Sequence, residues 1–270
     1  MEEFIIDNQH SLFYENNEWI LYTNGVAQIG SPRHFYKYYA LNSNNIDALK
    51  NGYFYLNNPK NFNDPFDCCR NLIIEKQKDP IDGLPSELIN DIKDLGITCF
   101  SSDGLNPLMW GHYANSYCGY VVKFKQELEI IKTPEMLYDK LTSVIYSNNP
   151  NPASQKHTFS DDYQSMVKLK HWEYENEWRL IVKKSDNNFN KVYFSKKSVE
   201  EITIGFNTYH NLNNPNVKGE YDNLMKVINE VYPNVKLFIV SPHSKEFKLT
   251  KIPLRFASVD DISNMRIVLK

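Results

Sequence analysis

The run Trp172-Glu173-Tyr174-Glu175-Asn176-Glu177-Trp178-Arg179-Leu180-Ile181-Val182 concentrates the residue types that do chemistry. Read as a β-strand, its side chains alternate between two faces. Trp172, Tyr174, Trp178, Leu180 and Val182, with Asn176, then share a core face, while Glu173, Glu175, Glu177 and Arg179 share the other. Carboxylates two residues apart raise each other's pKa, and an arginine in the same row holds at least one of them ionised. Such a strand can carry an acid and a base together. The same pattern also suits an edge strand whose charges face water and discourage further pairing.

Three further blocks carry candidate chemistry. Tyr36-Lys37-Tyr38 is an aromatic stretch interrupted by one cation, a pattern shared by core strands and ligand walls. Phe62-Asn63-Asp64-Pro65-Phe66-Asp67 is ordinary turn chemistry, yet its two aspartates suit ribose hydroxyls or a metal. Cys99-Phe100-Ser101-Ser102 runs into Leu108-Met109-Trp110-Gly111-His112-Tyr113-Ala114. On a helix Trp110 and Ala114 share one face, with Met109, His112 and Tyr113 beside them. That stripe is either core or a clamp for a flat ring. No Gly-x-Ser-x-Gly elbow is present for serine chemistry. Asp64, Asp67, His112, Glu175 and Glu177 are suitable metal ligands, but none has a diagnostic spacing, so no metal site is assigned.

The elements that must position these residues follow from the punctuation of the chain. Asn24-Gly25 predicts a hairpin between strands at 19–23 and 26–29, and Gly30-Ser31-Pro32 breaks the chain after it. Residues 1–31 therefore read as an accessory hairpin, 32–245 as the main domain and 246–270 as a tail. The main domain reads as a strand at 34–39, a helix at 46–50 closed by Asn51-Gly52, and a strand at 53–56. A linker at 80–85 and a helix at 86–95 precede a strand at 97–101. Next come a helix at 107–117, a strand at 119–124, a helix at 133–141 and a strand at 144–146. A polar loop at 148–158 and a helix at 160–170 lead into the charged strand. Beyond it lie strands at 191–194 and 202–205, a helix at 219–231, a strand at 236–240 and a last strand near 266–269. Adjacent strands with irregularly placed helices indicate an α+β fold of mixed, largely antiparallel sheets with flanking helices. No Gly-rich phosphate loop follows a first strand, which argues against a Rossmann or P-loop nucleotide site.

Composition narrows the setting. At 270 residues, with 18 Tyr and 15 Phe against 10 Gly, the chain has ample material for a strand-rich core. A net charge of -3 gives no global signal for non-specific nucleic-acid binding. Cys68, Cys69, Cys99 and Cys118 show no zinc spacing and fit idle thiols in a reducing compartment. Without a basic leader or an apolar run of about 20 residues, a cytoplasmic protein with no membrane partner is expected.

Taken in order, Tyr36-Lys37-Tyr38, Phe62 to Asp67, Cys99-Phe100-Ser101, Met109 to Ala114 with Gly119, and Trp172-x-x-Glu175-x-Glu177-Trp178-Arg179 resemble a widespread bacterial family. It is known only as a domain of unknown function, and the resemblance runs from about Phe35 to Gly205. A looser similarity is to the ADP-ribosyltransferases. These place an aromatic residue or His on an early strand, Ser or Tyr on a middle one, and Glu, often within Glu-x-Glu, on a late one. Here Tyr36 or Tyr38, Ser101 or Tyr113, and Glu175-x-Glu177 occupy those places, with Tyr-Lys-Tyr where the best-known pattern has His. The resemblance implies an ADP-ribosyltransferase-like fold and enzyme, NAD as substrate, and a macromolecular acceptor, nucleic acid or protein, in a toxin or antiphage effector. It implies Glu177 and Glu175 as catalytic carboxylates. It assigns NAD binding to Tyr36, Lys37, Tyr38, Asn63, Asp64, Ser101, Trp110, His112, Tyr113 and Arg179. Two other classes suit the same residues: a metal-dependent nuclease or hydrolase using Asp64, Asp67, Glu175 and Glu177, and a non-catalytic nucleotide-sensing or protein-binding module.

Overall fold

The computed structural model, which describes residues 2–15, 18–28, 30–69, 74–75, 94–154 and 160–254, begins the charged strand at Glu177 and not at Trp172. Lys170–Glu175 is a 3-10 helix closed by Asn176, whose φ of 45° and ψ of 49° are left-handed. Asparagine tolerates that conformation better than other residues with a side chain. The Asn176 N–H returns to the Glu173 carbonyl at 3.2 Å, and the chain then extends through Glu177–Lys184. The expected row of three glutamates on one strand is thereby corrected. Glu177 and Arg179 share a strand face, Glu175 sits buried on the preceding turn, and Glu173 is exposed.

The described chain is α+β with mainly antiparallel sheets, and it divides into two compact units. The first comprises Met1–Lys37, Asn51–Asp103 and Lys125–Ser198. In it Glu177–Lys184 lies between Met136–Ser143 and Leu95–Ser101, antiparallel to both. The segment at 133–141, expected as a helix, thus supplies an edge strand, because pairing along Glu177–Lys184 overrides its weak local preference. Phe35, Phe54, Phe100 and Trp178 pack one face of this sheet through ring centroids 5.0 to 5.8 Å apart. The opposite face carries Glu177, Arg179 and Ile181 across from Ser101, Cys99 and Ile97.

Strands Glu2–Ile5, His10–Glu15, Glu18–Thr23 and Val26–Ala27 form a four-stranded antiparallel meander, with Asn24 and Gly25 both at positive φ in the expected tight turn. Its Ile6, Leu12 and Leu21 join Ile97, Ile145, Tyr163, Met166, Val167 and Ile181 in one buried cluster. A short parallel pair, Ile145–Ser147 with Val167–Leu169, follows the helix Ser160–Met166 back toward the charged face.

The second unit comprises Tyr38–Lys50, Gly104–Phe124 and Val199–Lys270. Its strands Gly119–Lys125, Val199–Gly205, Lys236–Pro242 and Leu249–Pro253 lie side by side. The helix Pro215–Val231 makes the crossover that lets Val199–Gly205 and Lys236–Pro242 run parallel. Gly205 is required here, since a Cβ on it would stand 2.0 Å from the Tyr117 carbonyl oxygen. Among the described residues no helix is long and apolar enough to cross a membrane. The linker at 80–85, nearly all of the helix at 86–95 and the strand near 266–269 fall outside the described residues.

Candidate active site

Arg179 is the centre of the charged face. Its side chain is fully buried, and its planar fork grips two carboxylates. Nη1 and Nη2 donate to the two oxygens of Asp67 at 2.9 and 2.6 Å, while Nε and Nη2 donate to those of Glu177 at 2.8 and 3.1 Å. The remaining Nη1 hydrogen reaches the Ser165 carbonyl at 2.7 Å. Phe62 lies 5.4 Å from the guanidinium carbon. Only arginine offers donors in a fork that satisfies both partners at once.

Lys168 closes the cluster from the short strand Val167–Leu169, which pairs with Ile145–Ser147. Its Nζ stands 2.5 Å from Glu175 Oε2, 3.0 Å from Glu177 Oε2 and 3.6 Å from Asp67 Oδ2. Its side chain is 4 % exposed, and nothing in the sequence motifs pointed to it. A usable signal does exist: Val167-Lys168-Leu169 places one cation inside an apolar alternation just before the glutamates. Asp67, considered in the sequence as a metal ligand, is instead an arginine partner.

The electrostatics follow from burial and these contacts. Burial alone would raise the Glu177 carboxyl, but the Arg179 and Lys168 charges outweigh it and hold Glu177 well below the usual carboxylate range. Burial likewise disfavours the Lys168 charge, and Glu177, Asp67 and Glu175 more than restore it, so its pKa lies above that of an ordinary lysine. Burial pushes the neighbouring thiols of Cys68 and Cys99 well up, leaving them protonated. Burial lowers Lys37, whose Nζ donates to the Cys99 carbonyl at 2.9 Å.

Backbone contacts fix the carboxylates' aim. The Glu177 N–H donates to Tyr146 Oη at 2.8 Å, and Ser101 Oγ donates to the Glu175 carbonyl at 2.6 Å. Ser101 is opposite Glu177 on one side and opposite Tyr36 on the other. Tyr36, Ser101 and Glu177 therefore stand in one row across three adjacent strands. The strands of Tyr36 and Ser101 register at that pair alone.

The remaining expected residues distribute as follows. Asn63 is exposed, and Asp64 is buried with Oδ1 accepting from the Phe66 N–H at 2.9 Å, which fixes the turn that delivers Asp67. Tyr38, Trp110, His112 and Tyr113 belong to the second unit. Trp110 was expected to stack on a ligand ring, but it is fully buried there. Its indole N–H donates to the Gly104 carbonyl at 3.0 Å, with Tyr117 stacked at 6.1 Å and Tyr38 edge-on at 5.7 Å. It is core. His112 is exposed, with its ring 6.2 Å from that of Tyr113.

An open cleft of about 400 Å³ adjoins the cluster, lined by Phe66, Ser147, Asn148, Pro150, Lys168 and Leu169 among others. Cleft and cluster share their walls. Phe66 and Asp67 are neighbours on one turn, Tyr146 and Ser147 on one strand, and Lys168 touches both. Among the described residues no group of three or more His, Cys, Asp or Glu is gathered to hold a metal ion.

Residues 109–180 match a family model described as a protein of unknown function, DUF2971. The matched span holds Lys168, Glu175, Glu177 and Arg179, and it bears out the similarity to a domain of unknown function. No curated protein and no solved structure matches the chain.

Proposed function

We propose that this protein is an NAD-consuming enzyme of the ADP-ribosyltransferase type, acting on a macromolecular acceptor. The observation that carries the proposal is the row Tyr36, Ser101, Glu177 on three adjacent strands. Those are an early aromatic residue, a middle serine and a late glutamate of Glu-x-Glu, the order along the chain in which the ADP-ribosyltransferases carry such residues. Breaking the nicotinamide glycosidic bond leaves a cation developing at the ribose, with the bonding pair departing on nicotinamide. A fixed anion beside that ribose lowers the barrier. Glu177 suits that role because it stays ionised. For the same reason it is a poor proton acceptor, so the acceptor's proton passes to another base or to water.

A second reading, a non-catalytic binding module, is favoured by one observation: both Glu177 oxygens already accept protein hydrogen bonds and the residue is 5 % exposed. Incubation of the purified protein with labelled NAD and a cell lysate separates the two. Release of nicotinamide with label on a macromolecule supports the enzyme. Absence of both, for wild type and Glu177→Gln alike, refutes it.

A further inference from the structure

We infer that the exposed face of a small three-stranded sheet in the first unit binds unpaired nucleic acid. Bases stack on Tyr55 and Tyr193, and phosphates meet Lys191, Lys196 and Lys197. The sheet sets Ile130–Ile131, Lys191–Phe194 and Tyr53–Tyr55 side by side, antiparallel throughout. Residues opposite one another in an antiparallel pair point to the same side, and neighbours along a strand alternate. Val192, Phe194 and Phe54 therefore share one side, where all three are buried and the two phenylalanine rings stack at 4.4 Å. The other side carries Ile131, Tyr193, Lys191, Tyr53 and Tyr55. Three of these stand out from the surface: Tyr55 is 51 % exposed, Ile131 48 % and Tyr193 40 %.

Register gives this face a definite pattern. Lys191 is opposite Tyr55 and Tyr193 is opposite Tyr53, so the two exposed rings occupy opposite corners of a square. Lys191 leans along the other diagonal and places Nζ 4.3 Å from the Tyr53 ring centre. Tyr53 in turn meets Tyr193 edge-on at 6.0 Å. An ammonium thus lies on the line separating the two exposed rings. Bases of neighbouring nucleotides can stack one on each ring, with their linking phosphate at that ammonium. Lys196 adds a cation at the Tyr53 end. A Cβ on Gly52 would stand 3.3 Å from its Cγ and Cε, so its stem lies against Gly52. Lys197 follows it and is exposed.

Charge decides the kind of partner. From Lys191 to Ser198 the chain carries three lysines and no carboxylate, and from Asn51 to Asn63 Lys60 is the sole charged residue. The neighbouring carboxylates lie off these segments. Glu127 and Glu129 precede Ile130, and Asp186 sits in the turn before Lys191, accepting from the Asn188 N–H at 2.8 Å. Protein interfaces are depleted of lysine, whereas lysines beside aromatic rings are the composition of single-strand binding surfaces. A duplex keeps its base faces stacked inside the helix, so protruding rings select an unpaired strand. The net charge of -3 on the whole chain does not oppose this, because salt confines such attraction to roughly 8–10 Å. Binding here does not depend on the enzyme proposed above, since it is read without NAD.

Fluorescence anisotropy of the full chain with labelled oligo(dT), oligo(U) and a duplex, each of about 12 nucleotides, tests the inference at about 50 mM salt. Wild type should bind a single strand and hold the duplex at least about 10-fold more weakly, and a preference between oligo(dT) and oligo(U) identifies DNA or RNA as the source. Tyr55→Ala and Tyr193→Ala should each weaken binding roughly 10-fold, with Tyr193→Phe restoring it. Lys191→Gln should weaken binding and reduce the slope of log Kd against log salt by about 0.7, as loss of one phosphate contact requires. Tyr138→Ala, which removes an exposed ring on a different sheet, should change nothing. Both substituted tyrosines of the face are half exposed, so each variant should melt as wild type does. Should one fail to fold, the other and Lys191→Gln decide. No single-strand binding at up to about 100 μM protein, duplex bound as well as single strand, or affinity unmoved by the tyrosine variants overturns the inference. So does a wild-type dimer that Tyr193→Ala dissociates, which would make the face a contact between two copies of this chain.

Discussion

Glu175 and Glu177 are distinguished by what holds them. Glu177 lies on a strand whose neighbour Trp178 packs against Phe35 at 5.7 Å, and Arg179 grips both its oxygens. Its position is over-determined, as a group that must meet a developing charge requires. Glu175 sits on a turn with Lys168 as its ion-pair partner in the cluster. Glu177→Gln should therefore lower NAD consumption by about 100-fold or more with the fold intact. Glu175→Gln should cost less and Glu173→Gln, on the exposed side of the turn, almost nothing. Assaying the three at matched thermal stability checks this, and wild-type activity in Glu177→Gln would overturn the assignment. Arg179 makes the opposite prediction. Arg179→Met strands Asp67 and Glu177 without their common donor, so denaturant unfolding should show a loss of about 3–5 kcal/mol. Arg179→Lys should recover little of it, because one ammonium cannot form two bidentate pairs.

At the scale of elements, the turn at Asn176 decides whether the two glutamates can converge. Had Trp172 to Val182 been one continuous strand, Glu175 and Glu177 would project in parallel some 6.8 Å apart, twice the antiparallel rise per residue. The 3-10 helix and the left-handed Asn176 instead let both reach one ammonium. Asn176→Gly should be tolerated, whereas Asn176→Val should cost about 1–2 kcal/mol and weaken turnover, read by thermal melts and NAD consumption together. Period-two alternation had made Glu177, Arg179, Trp178 and Leu180 legible from sequence, since that segment is a real strand. It could not reveal the turn before them, because left-handed asparagine leaves no periodic trace. The segment at 133–141 misled for a related reason: its strand character comes from pairing with Glu177–Lys184 and not from its own residues. The row of Tyr36, Ser101 and Glu177 was foreshadowed by motif order. Lys168 was overlooked, because the one cation in the alternation Val167-Lys168-Leu169 reads as a surface residue until its three carboxylates are seen.

At the scale of the whole molecule, the charged cluster and the N-terminal meander contribute in different ways. Glu177 is held below its unfolded pKa, so its stabilisation is complete above about pH 5 and is lost as pH falls through and below about 4. Acid titration of the wild type should show a destabilisation there that is reduced in Glu177→Gln. The meander acts through apolar contact and should be insensitive to that change. Residues 1–31, read from sequence as an accessory hairpin, place Ile6, Leu12 and Leu21 in the same buried cluster as Ile97, Ile145 and Ile181. Phe4 meets Tyr163 edge-on at 5.2 Å, and the Asn151 N–H donates to the Ile6 carbonyl at 2.7 Å. Burying three large aliphatic side chains is worth about 1.5–3 kcal/mol each. Their sum is comparable with the roughly 5–15 kcal/mol that holds an ordinary domain folded. Removing residues 1–31 should consequently abolish a cooperative melt, and Leu12→Ala in the full chain should cost about 2–5 kcal/mol. Ile181 is two residues from Arg179 on the same strand face, so loosening this cluster should also loosen the grip on Glu177. Leu12→Ala should then lower NAD turnover even at temperatures where the protein remains folded. A truncated chain that melts cooperatively with undiminished turnover would show that the meander is dispensable to both.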